Sequence, residues 1–464
     1  METIAGMDAT LLARIQFAFT VSFHIIFPAF SIGLSAFIAT LEILWLRSGE
    51  QHYHTLARFW TKIFAVSFAM GVVSGIVMEF QLGTNWSRFA QVVGYAIAPL
   101  FTYEVLTAFF LEASFLGLML FGWNKVPPWV HTLASIMVAL GTALSGFWIL
   151  SANSWMHTPS GVEVRDGLVY PVSWFDIIFN PSFPYRFAHM MSATYLTTSL
   201  VVLATGARYV LNGRYEREAR TMMRMGLGMV IVMAPLQILL GDLHGLNTLE
   251  HQPAKIAAME AHWDGSKPAS LVLFAIPDEK NERNIAEIAI PRLGSLILTH
   301  DLDGRFPGLK DFKPEDRPPV LPVFYMFRVM VGIGFLLLAI GMVGGYLWWR
   351  KKLFVTEWFL KPIGHAWPLG FVAIIAGWMV TEIGRQPWIA YGILRTADAV
   401  SPVAAATVLT SLVLFVLVYF VVFGVGILYI YRMLRKGPKS PEKDIEALPN
   451  RPLSAAQETA GDPT

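Results

Sequence analysis

Nine long apolar runs dominate the sequence, and each approaches the roughly 20 residues that a helix needs to cross a bilayer. Within lipid every backbone N–H and C=O must be paired inside the segment, which favours helices. The sequence therefore predicts an all-α, polytopic membrane bundle of about nine transmembrane helices. The runs lie at about 15–46, 60–80, 97–122, 130–152, 188–211, 222–240, 322–349, 366–385 and 402–432.

The composition agrees with a membrane protein, because only 15% of the 464 residues are charged and 55% are hydrophobic. The chain has no Cys, which excludes disulfides, thiolate ligands, iron–sulfur clusters and thioether-attached haem. The net charge of +2 does not indicate nucleic acid, since the basic residues lie in short clusters between the runs.

These basic clusters predict the orientation. They follow the first, fifth, seventh and ninth runs, whereas the alternate loops contain few Lys or Arg. By the positive-inside rule, the N-terminus is periplasmic and the C-terminus cytoplasmic, in a bacterial inner membrane. We divide the chain into helices one to six (1–240), a periplasmic loop (241–321), helices seven to nine (322–435) and a disordered cytoplasmic tail (436–464).

Glu382 and Arg385 close the eighth run and stand at membrane depth. A charge there costs roughly 2.5–3.5 kcal/mol even on the lenient insertion scale, so it usually marks a functional site. Arg385 can neutralise Glu382 from the same helical face, and Pro387 then ends the helix. The alternative is a structural ion pair that ties two helices together.

Three further ionisable residues lie inside the first and third runs. Glu104 and Glu112 are eight residues apart, about 12 Å along one helix, which is compatible with a proton relay. Protonated acids in separate interhelical hydrogen bonds are the alternative. His24 is either a ligand or a buried histidine bonded to a neighbouring helix.

His189 opens the fifth run, and Arg328 and Met330 lie just inside the seventh. A Met in an apolar helix is usually core packing, but here His, Met and Glu candidates all fall toward the periplasmic half. His/Met ligation is typical of a low-spin haem. Arg328 and Arg385 could then pair with haem propionates. Zinc is disfavoured, because no compact His/Cys spacing exists.

Several strings occur in one order along the chain and together carry a family resemblance. They are Arg14-Ile-Gln-Phe17 leading to His24, Phe59-Trp-Thr-Lys62, Met78-Glu-Phe-Gln-Leu-Gly-Thr-Asn-Trp86, Phe109-Phe-Leu-Glu112, Gly241-Asp242, Lys255 with Glu260, Phe327-Arg-Val-Met330, and Gly377-Trp378 through Gly384-Arg-Gln-Pro-Trp388. On these strings, residues 10–435 resemble subunit I of the cytochrome bd-type quinol oxidases.

The resemblance implies three haems. His189 and Met330 would ligate a low-spin b haem, and Arg328 would support its propionates and potential. His24 would ligate one high-spin haem and Glu382 the other. One high-spin haem would be b, and the third haem d or a further b.

The resemblance also implies a proton path. Glu104 would lie beside the oxygen-reducing haem and Trp378 between the two high-spin haems. Glu112 and Ser145 would belong to the route by which protons arrive. Arg385 would be a further residue of the oxygen-reducing site.

The implied reaction oxidises ubiquinol beside Lys255 and Glu260 in the periplasmic loop. It reduces O2 to water with cytoplasmic protons and generates a proton-motive force. The implied partners are a second membrane subunit (subunit II), a small single-helix third subunit in some members, ubiquinol, O2 and the lipid bilayer.

The chain departs from the family pattern at two places. The loop passes quickly from Asp303 to Pro322, which resembles the short-loop, cyanide-insensitive branch. Ala113 stands where the family often has Ser, and Ser114 follows.

Two other functions use a similar residue inventory. An ion-coupled secondary transporter would also need intramembrane carboxylates, but it predicts repeats that the sequence lacks. A dihaem electron-transfer anchor would need paired His ligands on neighbouring helices.

Overall fold

Helices make up most of the chain, and the computed structural model describes residues 7–438. Within that range the α-helices are α1 (Ala9–His24), α2 (Ile26–Ser48), α3 (Gln51–Thr84), α4 (Ser87–Glu104), α5 (Phe110–Phe121), α6 (Pro128–His157), α7 (Trp174–Ile178), α8 (Phe183–Leu211), α9 (Glu216–His251), α10 (Pro253–Glu260), α11 (Leu293–Thr299), α12 (Val320–Trp349), α13 (Glu357–Ile363), α14 (Pro368–Ile383) and α15 (Ala405–Lys436). A π-helical turn, Val105–Phe109, joins α4 to α5.

The predicted membrane bundle is confirmed. Eight helical segments of the described chain are long and apolar enough to span a membrane, and the pair α13–α14 makes a ninth, bent by 47°. Pro368 begins α14, where proline is tolerated because the first N–H of a helix has no partner. Helices extend beyond the apolar runs, and α9 continues to His251 instead of ending near 240. Most of the tail predicted to be disordered, residues 439–464, lies outside the described residues.

Small residues bring the helices close together. A Cβ added at Gly206 of α8 would lie 2.9 Å from the Ala219 carbonyl oxygen of α9, and one at Gly226 would lie 2.9 Å from that of Ser199. These glycines let α8 and α9 touch along their backbones, as is common between membrane helices. Buried Leu34, Trp60 and other apolar side chains fill the space among α2, α3 and α6.

Three short antiparallel hairpins lie outside the helices within residues 7–438. Their strands are β1 (Val162–Arg165), β2 (Leu168–Pro171), β3 (Leu271–Asp278), β4 (Arg283–Ile290), β5 (Trp388–Ala390) and β6 (Leu394–Arg395). The β3–β4 hairpin belongs to the long loop between α9 and α12, as does α10. A shared core that includes Ile256, Trp263, Phe324 and Val380 packs this loop onto the ends of α12 and α14.

Candidate active site

Glu382 is the centre of a polar cluster where α14 ends. It forms an ion pair with Arg385, as the three-residue spacing predicts. The Asn153 amide donates to its Oε1 at 2.9 Å, and His157 Nε2 lies 3.4 Å from the same oxygen. Both neighbours lie in the last turn of α6, so the cluster joins two spans at one end of the bundle.

The loop helix α10 extends this cluster. Lys255 Nζ lies 3.1 Å from His157 Nδ1, and the Gln252 amide donates to the His157 carbonyl at 2.6 Å. Burial of the Lys255 amine, together with Arg186 and Arg385, holds its pKa well below the usual range, against the pull of Glu382. His157 therefore lies between Lys255 of the loop and the buried Glu382 carboxylate and contacts both.

The cluster fits a ligand that carries carboxylates. Arg186 and Arg385 are 7% and 4% exposed. In the described part of the chain, Arg186 Nε and Arg385 Nε and Nη1 have no hydrogen-bond partner. Glu382 forms an ion pair with Arg385 and also attracts the Arg186 guanidinium electrostatically. Since buried guanidinium groups require oxygen acceptors, haem propionates would satisfy these donors.

His24 is held in a form suited to ligation. It ends α1, and its Nδ1 lies 2.9 Å from the Ser74 hydroxyl of α3. That hydroxyl donates to the carbonyls of Met70 and Gly71, at 2.9 and 3.0 Å. Since a hydroxyl has one proton, Nδ1–H donates to Ser74 and Nε2 keeps a free lone pair. Gly75 makes room, because a Cβ there would lie 3.2 Å from His24 Cε1.

His189 and Met330 face different helices. The Gln237 amide of α9 lies 3.1 Å from His189 Nε2. Met330 points at α14, where a Cβ added to Gly377 would lie 2.8 Å from its Sδ. Trp378 follows this glycine and is half-buried. Joint ligation of one iron by His189 and Met330 stays a prediction.

Arg328 is bonded to the long loop. It donates to the Val272 carbonyl at 2.8 and 2.6 Å, to the Met259 carbonyl at 2.8 Å and to Glu260 Oε2 at 2.8 Å. Four hydrogen bonds thus engage a group with five N–H donors. Its role toward a propionate stays a prediction, while its contacts fix the loop beside Met330.

Lys255 and Glu260 lie on different sides of α10, because five residues turn a helix by about 140°. Lys255 enters the Glu382 cluster, and Glu260 binds Arg328. The two predicted quinol residues are both buried, at 3% and 7% exposure, but in separate surroundings.

The predicted proton-path residues meet along α6. The Ser145 hydroxyl donates to Glu104 Oε1 at 2.7 Å. Glu112 is buried against Gly141, where an added Cβ would lie 2.6 Å from its Cγ. Ser114 instead faces outward and donates to the Phe110 carbonyl of its own helix.

The sequence interpretation missed Asn153, His157 and Gln252. Asn153 and His157 are four residues apart near the end of an apolar run, which is the signal that could have identified them. Within residues 7–438 no group of three or more His, Asp or Glu could hold a metal ion. A haem iron needs no such group, because the macrocycle supplies its equatorial ligands.

Comparison with known proteins relates most of the chain to one family. Residues 12–438 match the family described as "Cytochrome bd terminal oxidase subunit I". "Cytochrome bd ubiquinol oxidase subunit 1" of Bacillus subtilis (strain 168) is 35% identical over 454 residues, covering 94% of this chain and 95% of the relative. "Cytochrome bd-II ubiquinol oxidase subunit 1" of Escherichia coli (strain K12) is 32% identical over 507 positions, covering 94% and 98%.

The fold is also similar to a solved structure. "The structure of bd oxidase from Geobacillus thermodenitrificans" superposes with a TM-score of 0.87 at 33% sequence identity. The match covers 94% of this chain and 100% of that one. Because the alignment with the Escherichia coli relative has 507 positions, more than the 464 residues here, that relative carries residues that this chain lacks.

Proposed function

Because the chain belongs to the family of cytochrome bd terminal oxidase subunit I, we propose that it oxidises ubiquinol at the periplasmic face and reduces O2 to water. It is a haem-carrying, multi-pass oxidoreductase of electron transport in the bacterial inner membrane, and it works with a second subunit. The observation that carries the detailed proposal is the buried cluster in which Arg385 pairs with Glu382 while Arg385 and the nearby Arg186 keep unpaired donors.

Six residues would hold the haems, four as iron ligands and two as propionate partners. His189 and Met330 would ligate the low-spin b haem, and His24 and Glu382 would each ligate a high-spin haem, one b and the other d or a further b. Arg385, whose Nε and Nη1 have no partner among the described residues, would pair with a propionate, and Arg328 would support the low-spin haem's propionates. Bound there, haem supplies one-electron transfer and, at an open coordination position, the reduction of O2.

The loop residues bind and deprotonate ubiquinol. Glu260 is the base, and the Arg328 guanidinium at 2.8 Å orients it. Arg328 is two residues from Met330 on α12, so the quinol site and the first electron acceptor share one rigid helix. Lys255 positions the substrate from the opposite side of α10.

Proton delivery uses the carboxylates inside the bundle. Ser145 orients Glu104 beside the oxygen site. Glu112, eight residues later in the chain, lies nearer the cytoplasm in the predicted orientation. Ubiquinol oxidation releases its protons outside, whereas O2 reduction consumes protons from the cytoplasm to form water. The turnover is therefore electrogenic and stores about 2.3 kcal/mol per charge per 100 mV.

The exposed apolar faces suit further membrane partners. On α15, Phe420, Val421 and Val425 are 81%, 62% and 64% exposed. Subunit II, a small third subunit and lipid would cover such surfaces in the complex.

The test is a dithionite-reduced minus air-oxidised absorbance spectrum of the purified complex, with haem extraction and ubiquinol-driven O2 consumption. We expect b-type bands and O2 consumption. A red chlorin band would identify the third haem as d, and b-type bands alone would identify it as b. A colourless complex would overturn the proposal in favour of a transporter, and haem without O2 consumption would favour an electron-transfer anchor.

A further inference from the structure

A second polar cluster lies at the other end of the bundle from Glu382. Glu42 of α2 is fully buried, and α6 binds both of its carboxyl oxygens. His131 Nδ1 lies 2.9 Å from Oε2, and the Ser135 hydroxyl donates to Oε1 at 2.7 Å. None of these three residues belongs to the haem or quinol sites described above.

The geometry gives this pair one transferable proton. His131 Nε2 lies 3.1 Å from the Met119 carbonyl, which can only accept, so Nε2 carries a proton. A second proton must then lie between Nδ1 and Glu42 Oε2 for that contact to be a hydrogen bond. Whether it is on the ring or the carboxyl, the pair has no net charge, which reduces the cost of burying it.

The pair begins a polar stripe along α6. At 3.6 residues per turn, His131, Ser135, Thr142 and Ser145 fall within about 80° of the helix circumference. The Thr142 hydroxyl lies 3.1 Å from that of Ser35 on α2. Glu112 packs beside Thr142 at Gly141, and Ser145 donates to Glu104. The stripe thus runs from Glu42 toward both predicted proton carriers, with a break between Ser135 and Thr142.

Titratable and aromatic groups lie between the Glu42–His131 pair and the end of the bundle where α2 ends and α3 begins. The Trp123 ring lies 4.0 Å from the His131 ring, centroid to centroid, and 5.3 Å from that of His54. Arg58 lies over the same indole at 5.7 Å. His54 and Arg58 come from α3, near the ends of α2 and α3 that the predicted orientation places in the cytoplasm.

We propose that the Glu42–His131 pair is the cytoplasmic proton-uptake site for oxygen reduction. The pair passes its proton inward along α6 toward Glu112 and Glu104, and takes another from cytoplasmic water. No electron moves in this step. Ser135 and Thr142 are about 10 Å apart along the helix, so the proposed transfer requires water to bridge them. This inference rests on the proposed function.

The experiment uses Glu42→Gln in the whole complex, reconstituted in vesicles with a pH indicator on the cytoplasmic side. Gln can still accept from Ser135 and donate to His131, so the cluster stays packed, but it cannot transfer a proton. We expect wild-type haem spectra and proton uptake at least ~10-fold slower after O2 is added to the reduced enzyme. Glu50→Gln, an exposed carboxylate near the same helix end, is the matched control and should take up protons normally.

Uptake by Glu42→Gln as fast as by the Glu50→Gln control would overturn the inference. If Glu42→Gln fails to assemble, His131→Gln provides the second variant, and normal uptake there would equally overturn it. A wild-type complex that lacks haem or consumes no O2 with ubiquinol would instead refute the proposed function, so the two failures are distinguishable.

Discussion

Lys255 Nζ lies 3.1 Å from Nδ1 of His157, which connects the loop helix α10 to the last turn of α6. His157 in turn contacts Glu382. The imidazole of His157 therefore links the loop predicted to bind quinol to the buried cluster proposed to hold a high-spin haem.

Replacing Lys255 with Met keeps the aliphatic stem and removes the amine. We expect the KM for ubiquinol to rise about 10-fold, equivalent to about 1.4 kcal/mol of lost binding. The high-spin spectrum should be retained, because Glu382 keeps Arg385 and Asn153. Lys267→Met, at an exposed lysine of the same loop, is the control, and an unchanged KM in Lys255→Met would contradict the substrate role.

Met330→Leu tests the low-spin ligand. The volume is nearly conserved, so packing against Gly377 should survive, but the thioether is lost. We expect the low-spin haem potential to fall by on the order of 0.1 V, since axial ligands set potentials over about 0.8 V. Potentiometric titration measures this haem potential. Met326→Leu, one helical turn earlier, is the control. A wild-type potential in Met330→Leu would remove Met330 from the ligand set.

Glu382→Ala tests the high-spin ligand and the charge cluster together. The substitution leaves Arg385 without its carboxylate, and breaking a buried pair costs about 3–5 kcal/mol. We expect one high-spin haem signal to disappear and thermal stability to drop, as magnetic circular dichroism and thermal melts would record. Both high-spin signals with full O2 turnover would refute the ligand role.

The spans were predictable from the sequence because bilayer crossing imposes length and apolarity on each segment alone. The Glu382–Arg385 pair was also predictable from one segment alone, because its two residues are three positions apart on the same helical face. Its contacts with Asn153, His157 and Lys255 were not, because they require α6, α10 and α14 to meet in space. The β3–β4 hairpin was also missed, since exposed apolar residues such as Phe274 and Ile288 follow no clear alternation.

His262 should make the stability of the loop depend on pH. Its Nε2 is buried with no partner among the described residues, and burial lowers its pKa, although Phe306, Asp264 and Asp311 oppose the shift. The packed loop thus binds a proton less readily than the opened loop. Its stability is fully present above the ordinary pKa of about 6.5 and is lost as pH falls below it.

Hydrogen exchange of residues 253–311 in wild type and His262→Phe would measure this effect. The ratio of the wild-type exchange rate to the variant exchange rate should be higher at pH 5.5 than at pH 7.5. His300→Gln, at an exposed histidine of the same loop, should behave as wild type. A wild-type to variant ratio that does not change with pH would contradict the assignment.

Gly141→Ala should displace the Glu112 side chain while leaving its carboxyl group in the sequence. The added Cβ would lie 2.6 Å from Glu112 Cγ, which is closer than carbon atoms approach, so the carboxylate must move. Gly146→Ala on the same helix meets Ile32 Cδ1 at 3.4 Å, an ordinary contact, and serves as the control. We expect Gly141→Ala to slow O2 turnover at least ~10-fold while haem content stays constant, because proton delivery and not haem binding is lost. Equal turnover in the two glycine variants would show that protons reach the oxygen site without Glu112.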